Sequence, residues 1–434
     1  MVDRVRRALA KVTGQALGPY QSAVVRIGFA GTWLLFLLCE FPNRHQLYGP
    51  DGPWSWRLAE RLVASNDAFT VLMWSRSTFW FELVYAVAVL ASALLLLGWR
   101  TRATSVVFMV GVLSLQNRSV FMGDGGDNVI HLMAVYLVLT RCAQVWSLDA
   151  RRARLRGSAS AGAAGPVLWG VLGAVLAYGA VTGRLGGGWL AVFAALWAGP
   201  ALWWVADRHE RSGGGPGGAA GEAVGEAPGE GAAERAVRRA GEGRAFLDVL
   251  ANLLHNAGML VIMAEVCLIY ATAGWYKIQG SRWQDGTALY YPLRLDYFAP
   301  WPELSDVLAG SGVMVMLLSY GTVAVQVAFP FTLFNRRVKN VLLALMMLEH
   351  AGIAVLLGLP FFSLAMIAAD AVFLPTGFLV WVGARGVRGW SRARARPVPR
   401  AVPGPRPPTP APRTPAGPEP VERDGAVGAG GAGS

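Results

Sequence analysis

The sequence predicts an all-α, polytopic membrane protein of about ten transmembrane helices, and three observations carry that prediction. Of its 434 residues 54% are hydrophobic and only 15% are charged, where a soluble globular chain carries roughly 25% charged residues. The apolar residues gather in continuous runs, many of them near the ~20 residues that cross a ~30 Å hydrocarbon core as a helix. The runs are not alternations of polar and apolar residues, which excludes a β-barrel.

The first run, 22–41, follows Arg4, Arg6, Arg7 and Lys11. It has no small-residue cleavage site behind a short apolar core, so it reads as a first membrane helix and not as a removable signal peptide. Further runs at 80–98, 103–117, 128–146, 166–183, 187–206, 247–274, 312–334, 339–358 and 361–383 complete the ten. They divide the chain into a first half of a membrane domain (1–150), an inserted helix pair with a Gly/Ala/Glu linker (151–246), a second half (247–384) and a Pro/Arg-rich tail (385–434). The linker over 213–243 and the tail offer nothing to bury, and their composition predicts disorder. The inserted pair holds hardly any polar residue, and its even number of spans preserves topology. Its removal is therefore expected to leave the fold intact.

A net charge of +12 would suggest nucleic acid in a soluble chain, but in a membrane protein it records which loops face the cytoplasm. Of the 39 basic residues, 28 fall in segments on the side of the N-terminus and 9 in the opposite loops, with Arg26 and Arg141 inside spans. That asymmetry predicts a multi-pass protein of the cell (plasma) membrane with both termini cytoplasmic. The expected partner is the lipid bilayer, with no nucleic acid. Cys39, Cys142 and Cys267 all lie in apolar runs, where they behave as small hydrophobes and not as a disulfide framework or zinc site.

The outer loops, 41–79, 118–127 and 275–311, combine aromatic, Gly and charged residues. Aromatic residues also gather at membrane interfaces, so each one alone has that simpler explanation. Polar residues at depth are costly and mark functional candidates, or structural hydrogen-bonding posts. Asp127, Asn128 and His131 lie near the outer end of span four, and His350 lies ~12 Å below the external surface at 1.5 Å per residue. Lys277 follows the outer end of span seven. These five residues are expected to converge on an external-facing cavity. Asp370, about nine residues below the same surface, needs a cation, a proton or a hydrogen-bond donor. Glu349 precedes His350 and points about 100° away from it, so the two are not expected to face one ligand. Asp248, Asn252, His255 and Asn256 fall near the inner end with Arg26 and Arg141, where snorkelling or pairing at the interface explains them. No metal-ligand spacing occurs: Gly123-Asp124-Gly125-Gly126-Asp127 lacks the later ligands of a calcium loop.

The segment YATAGWYKIQGSRWQDGTALYYPL (270–293), with Gly274, Lys277, Trp283, Gly286 and Tyr290, is similar to the signature of the horizontally transferred transmembrane (HTTM) domain family, bacterial relatives of vitamin K-dependent gamma-carboxylase. RSVFMGDGGDNVIHLMAVYL followed by VWSLDA, and LEHAGIAVLLGLPFFSLAMIAADAVFLP, match in the same order. The likeness covers most of the chain apart from the inserted pair, the linker and the tail. It implies that Lys277 and His350 are catalytic, Lys277 as the base that deprotonates a lipid quinone or another membrane-borne substrate. It also adds Trp283 to the substrate-binding candidates Asp127, Asn128, His131 and Asp370. A poorly hydrated pocket disfavours an ammonium and frees the neutral amine as a base near neutral pH. This sequence departs from the carboxylase in two places. Asp127 and Asn128 stand where the carboxylase has an Asn-His pair, and the large external domain is absent, so carboxylation of protein glutamates is not expected. Other relatives mature small secreted peptides. The resemblance thus leaves three readings: an enzyme, a non-catalytic peptide-maturation or export factor whose cavity binds a small secreted peptide, and a structural scaffold in which Lys277 is an interfacial anchor.

Overall fold

In the computed structural model the described residues are 2–156, 164–213 and 230–394, and they contain helices and no strand. Twelve helices organise the description: α1 (Val2–Gly14), α2 (Pro19–Cys39), α3 (Thr78–Leu97), α4 (Thr101–Arg118), α5 (Gly125–Val138), α6 (Ala164–Val181), α7 (Gly187–Gly213), α8 (Glu230–Gln279), α9 (Gly312–Ala328), α10 (Arg336–Leu356), α11 (Pro360–Asp370) and α12 (Thr376–Arg394). The chain divides into two units, 1–382 and 383–434. The disorder expected of 214–229 and of 395–434 lies outside the described residues.

Among the described residues, five helices are long and apolar enough to cross a membrane: Pro19–Cys39, Thr78–Leu97, Glu242–Gln279, Gly312–Thr332 and Arg336–Leu356. A sixth is counted if Pro360–Phe373 and Thr376–Gly386, bent by 117°, form one span. The chain is therefore a polytopic helical membrane protein, but the ten expected spans do not all form full-length apolar helices. Helix α5 has only 14 residues, about 21 Å at 1.5 Å per residue. Helix α4 ends in the polar run Gln116-Asn117-Arg118. The apolar stretches of the inserted pair, Gly165–Val181 and Gly187–Leu202, are also short. The tenth run is broken at Pro375, because a proline removes the N–H that a continuing helix would need. The expected linker is shorter than its composition suggested, since α8 already begins at Glu230. The Ala, Glu and Arg of AAERAVRRA are good helix formers and extend the apolar helix behind them.

The inserted pair is not peripheral. Leu185 and Phe193 are buried in the main apolar core. Phe193 meets Phe69 at 4.8 Å between ring centroids, Trp189 Nε1 donates to the Asp67 carbonyl at 2.9 Å, and Arg184 donates to the Trp74 carbonyl. Trp169 and Trp197 stack at 4.2 Å and exchange indole N–H to carbonyl bonds of 3.1 Å. The pair therefore covers the 67–80 segment, and its removal would expose Phe69 and Trp74 to solvent or lipid.

The first half is tied together by Arg26, which has no exposed surface. Its guanidinium donates to the carbonyls of Leu95 (2.5 Å), Leu96 (2.8 Å), Trp146 (2.7 Å) and Cys142 (3.2 Å). Two of these oxygens belong to the last turn of α3, where carbonyls have no intrahelical partner. Gly98 ends α3 with φ of 69°, a left-handed conformation that glycine adopts without a Cβ clash. A Cβ there would also lie 2.4 Å from Ser147 Cβ and 3.0 Å from Arg26 Nη1. Asp149 completes the joint by accepting from the Arg100 and Thr101 amides at 2.9 and 2.8 Å and from Thr101 Oγ1 at 2.6 Å. A carboxylate at the N-terminus of α4 satisfies orphan donors and complements the helix dipole. This is the structural work of the VWSLDA block.

The inner polar group pairs as its position suggested. Arg141 Nη1 donates to Asn252 Oδ1 at 2.7 Å and Nη2 reaches Asp248 at 3.4 Å, while the Arg141 amide donates to His255 Nδ1 at 2.8 Å. Helix α11 runs antiparallel to α2, from Phe361 beside Phe36 (5.5 Å between centroids) to the Leu374 carbonyl, which accepts from Gln21 Nε2 at 2.8 Å. Between these points Gly28 lies so close to Ala368 that a Cβ on it would sit 2.4 Å away.

Replacing Arg26 by Leu removes a donor from four carbonyls, of which Leu95 alone keeps a backbone partner, the Gly98 amide, so thermal unfolding in detergent should show a loss of about 3 kcal/mol or more. Arg26→Lys should restore only part of it, because an ammonium is a point donor that cannot span the fork. An Arg26→Leu protein of wild-type stability would contradict this assignment.

Candidate functional site

Helix α8 carries Tyr270, Gly274 and Lys277 at i, i+4 and i+7, which places them on one face. Gly274 is the element that brings the neighbouring helix in. A Cβ at this position would lie 2.6 Å from Val327 Cγ2, so the absence of a side chain lets α9 approach α8. That approach puts Gln326, 4% exposed in an apolar helix, next to Lys277.

Lys277 Nζ donates to Gln326 Oε1 at 2.7 Å, and Gln326 Nε2 donates to Glu349 Oε1 at 2.6 Å. The partners fix the amide orientation, with oxygen toward the ammonium and nitrogen toward the carboxylate. Lys277 Nζ stands 5.3 Å from the centroid of the Trp283 ring, within range of a cation–π contact. Trp283 sits on the one-turn helix Ser281–Gln284, which is tied to α9 by Tyr320 donating to the Gln284 carbonyl at 2.7 Å. Nearby, Asp285 is held below the usual carboxylate range by hydrogen bonds from the Thr287 side chain and amide.

About 10.5 Å further along α8, two turns away, a second cluster forms. The Tyr270 hydroxyl lies 2.9 and 3.0 Å from the two Asp370 oxygens and 3.0 Å from His350 Nε2. All three side chains are 2% exposed or less. A hydroxyl has one proton, so when Tyr270 donates to Asp370 it accepts from His350, which fixes the His350 proton on Nε2. Nδ1 is then left as a bare acceptor, and it has no hydrogen-bond partner. The His350 ring packs edge-on against Phe362 at 5.5 Å and beside Tyr270 at 6.1 Å.

Asp127, Asn128 and His131 form neither of these clusters. Asp124 and Asp127 make a reciprocal capping box at the start of α5. Asp124 Oδ1 accepts from the Gly126 and Asp127 amides at 2.7 and 3.1 Å, and Asp127 Oδ2 accepts from the Asp124 amide at 3.0 Å. The acidic pair of GDGGD is thus a helix cap. Asn128 is exposed. His131 Nδ1 donates to Gln116 Oε1 at 2.7 Å, and Gln116 Nε2 returns to the Asp127 carbonyl at 2.8 Å. Phe362 touches both groups: a Cβ on Gly126 would lie 2.5 Å from the Phe362 Cα, and the Phe362 ring lies 5.5 Å from the His350 ring.

The five residues expected in one cavity therefore occupy three neighbouring groups, and Lys277 and His350 bond to different partners. Glu349 and His350 diverge as adjacent helical residues do, but each meets a different helix: Glu349 reaches Gln326 on α9 and His350 reaches Tyr270 on α8. Tyr270, Gln326 and Glu349 were missed as site residues. The seven-residue spacing from Tyr270 to Lys277 was the available signal for the first, and a lone glutamine inside an apolar run was the signal for the second.

No protein-family model matches the chain, no curated protein matches it, and no solved structure matches it.

Tyr270→Phe keeps the ring and its edge-on packing with Phe329 at 6.0 Å but deletes the hydroxyl shared by Asp370 and His350. It should cost about 1–3 kcal/mol, the penalty of a buried polar group left unpaired, read from chemical unfolding in detergent. An unchanged midpoint would mean that the hydroxyl is not what satisfies Asp370.

Proposed function

We propose that this chain is an HTTM-type protein of the plasma membrane, with both termini in the cytoplasm, in which Lys277 is a base acting from the external side on a membrane-borne substrate, a lipid hydroquinone first among the candidates. The observation that carries the reading is the amide interposed between Lys277 and Glu349. A lysine that serves only as a post at depth is best satisfied by direct contact with its carboxylate. Here the charges are joined through Gln326, so the amine is oriented by an acceptor and supported at one remove by Glu349. When Nζ takes a proton from a substrate O–H, the resulting ammonium donates to Gln326 Oε1. The Glu349 carboxylate, holding the other end of the amide, stabilises that charge. Trp283 offers a ring face to the same ammonium, and the Tyr270–His350–Asp370 group stands two turns away on the same face of α8.

A second reading draws support from exposed aromatic residues beside the site. Tyr276, Trp275, Tyr297 and Trp301 are 74%, 61%, 86% and 60% exposed, and together these rings suit capture of an extended peptide in a maturation or export factor.

The discriminating variant is Lys277→Arg, assayed by oxidation of a lipid hydroquinone under air in lipid discs. Arginine keeps the charge but cannot lose its proton at accessible pH, so activity should vanish while stability stays within about 1 kcal/mol of wild type. His350→Gln should lower the rate without unfolding the protein. Full activity of the Lys277→Arg protein would end the catalytic reading, and a wild-type protein inert toward hydroquinones would leave the peptide reading in its place.

A further inference from the structure

Helix α1 has no buried residue, and nothing in the proposed reaction uses it. On a helical wheel Val2, Val5, Ala8, Leu9 and Val12 fall within an arc of about 120°, and Arg4, Arg7 and Lys11 cluster on the opposite side. The apolar side is bare: Val2 is 80%, Leu9 60% and Val5 51% exposed. The helix has four cations, Arg4, Arg6, Arg7 and Lys11, against one anion, Asp3.

Its position is fixed by its C-terminal end. Asn256 Nδ2 donates to the Val12 and Gln15 carbonyls at 2.8 and 3.0 Å, and Asn252 Nδ2 donates to the Thr13 carbonyl at 3.0 Å. The Leu17 amide donates to Asn256 Oδ1 at 2.8 Å. His255 Nε2 lies 2.8 Å from the Leu17 carbonyl; since its Nδ1 accepts from the Arg141 amide, Nε2 carries the proton and donates. These bonds go to orphan carbonyls at and just beyond the end of α1, the groups a helix terminus must satisfy. From Asn252 to Gln279 helix α8 rises ~40 Å, which matches a bilayer with its headgroups. The pinned end of α1 therefore sits at headgroup depth, and only residues 15–18 separate it from the membrane-spanning α2.

We propose that α1 is an interfacial anchor whose apolar arc enters the headgroup boundary of the bilayer and whose arginines and lysine bind anionic lipid headgroups. Charge complementarity selects the occupant. A bare apolar arc backed by cations, held at the level of the phosphates, has the pattern of a helix that lies in the plane of an anionic membrane. This inference is independent of Lys277 and of any reaction.

Hydrogen–deuterium exchange of the full-length protein tests it, in discs of phosphatidylcholine alone and in discs with about a third phosphatidylglycerol. The amides of residues 5–11 should exchange at least about tenfold more slowly in the anionic discs, since each basic residue near such a surface contributes on that scale. The variant with Arg4→Gln, Arg7→Gln and Lys11→Gln should lose the difference. The Leu17 amide, held by Asn256 Oδ1, serves as the internal control: its protection should be the same in every sample, which shows that the variant is folded. Equal exchange of 5–11 in both lipid compositions, or a difference that survives in the triple variant, would overturn the proposal.

Discussion

A single guanidinium organises the first half of this membrane protein. Hydrocarbon provides no water for the carbonyls at a helix end, so each must find a donor within the chain. Arg26 supplies donors to two such oxygens at the end of α3 and to two more in the non-helical segment 142–146, and the neighbouring sequence is constrained to fit it. Gly98 must be glycine for its backbone and for the space beside Ser147 and Arg26. Asp149 then caps the helix that follows. With α2 fixed in this way, Gly28 meets Ala368 two residues further along, and α11 is seated so that Asp370 reaches Tyr270. The candidate site on α8 thus rests on a joint that lies wholly in the other half of the chain.

The second half uses the same two devices, close approach at a small residue and a polar contact beside it. Gly274 admits α9, and Gln326 then links Lys277 to Glu349. In a membrane, where lipid tails are as apolar as leucine, such packing and interhelical hydrogen bonds provide the association that the hydrophobic effect provides in water. Glu349 and His350 show how adjacent residues serve two contacts at once, because the 100° between them points one at α9 and the other at α8.

Fold class was legible because bilayer thickness imposes itself on apolar run length, and the inner polar group was legible because charges at depth must pair. The span count was less so. Run length counts apolar residues, but α5 stops at Val138, well short of the end of its apolar run, and the last run breaks at Pro375, and a run has no record of either. Tyr270 was hidden because a tyrosine in an apolar run reads as one more aromatic residue. Asp127 and His131 were identified as polar residues at depth, but nothing in the spacing indicated that they would bond to Asp124 and Gln116 and not to His350. The packing of the inserted pair on Phe69 and Trp74 was invisible too, since apolar residues do not announce their partners.

The claim that Lys277, Gln326 and Glu349 are kept for chemistry and not for architecture is tested most directly by their joint replacement with Met, Leu and Met. Polar groups held at depth for function are stability-neutral or costly relative to well-packed apolar residues of similar size. Chemical unfolding of the triple variant in detergent should therefore give a stability equal to or above that of the wild type. A loss of about 3 kcal/mol or more, on the scale of a broken structural ion-pair network, would contradict the claim and make the chain of hydrogen bonds a post that holds α8, α9 and α10 together.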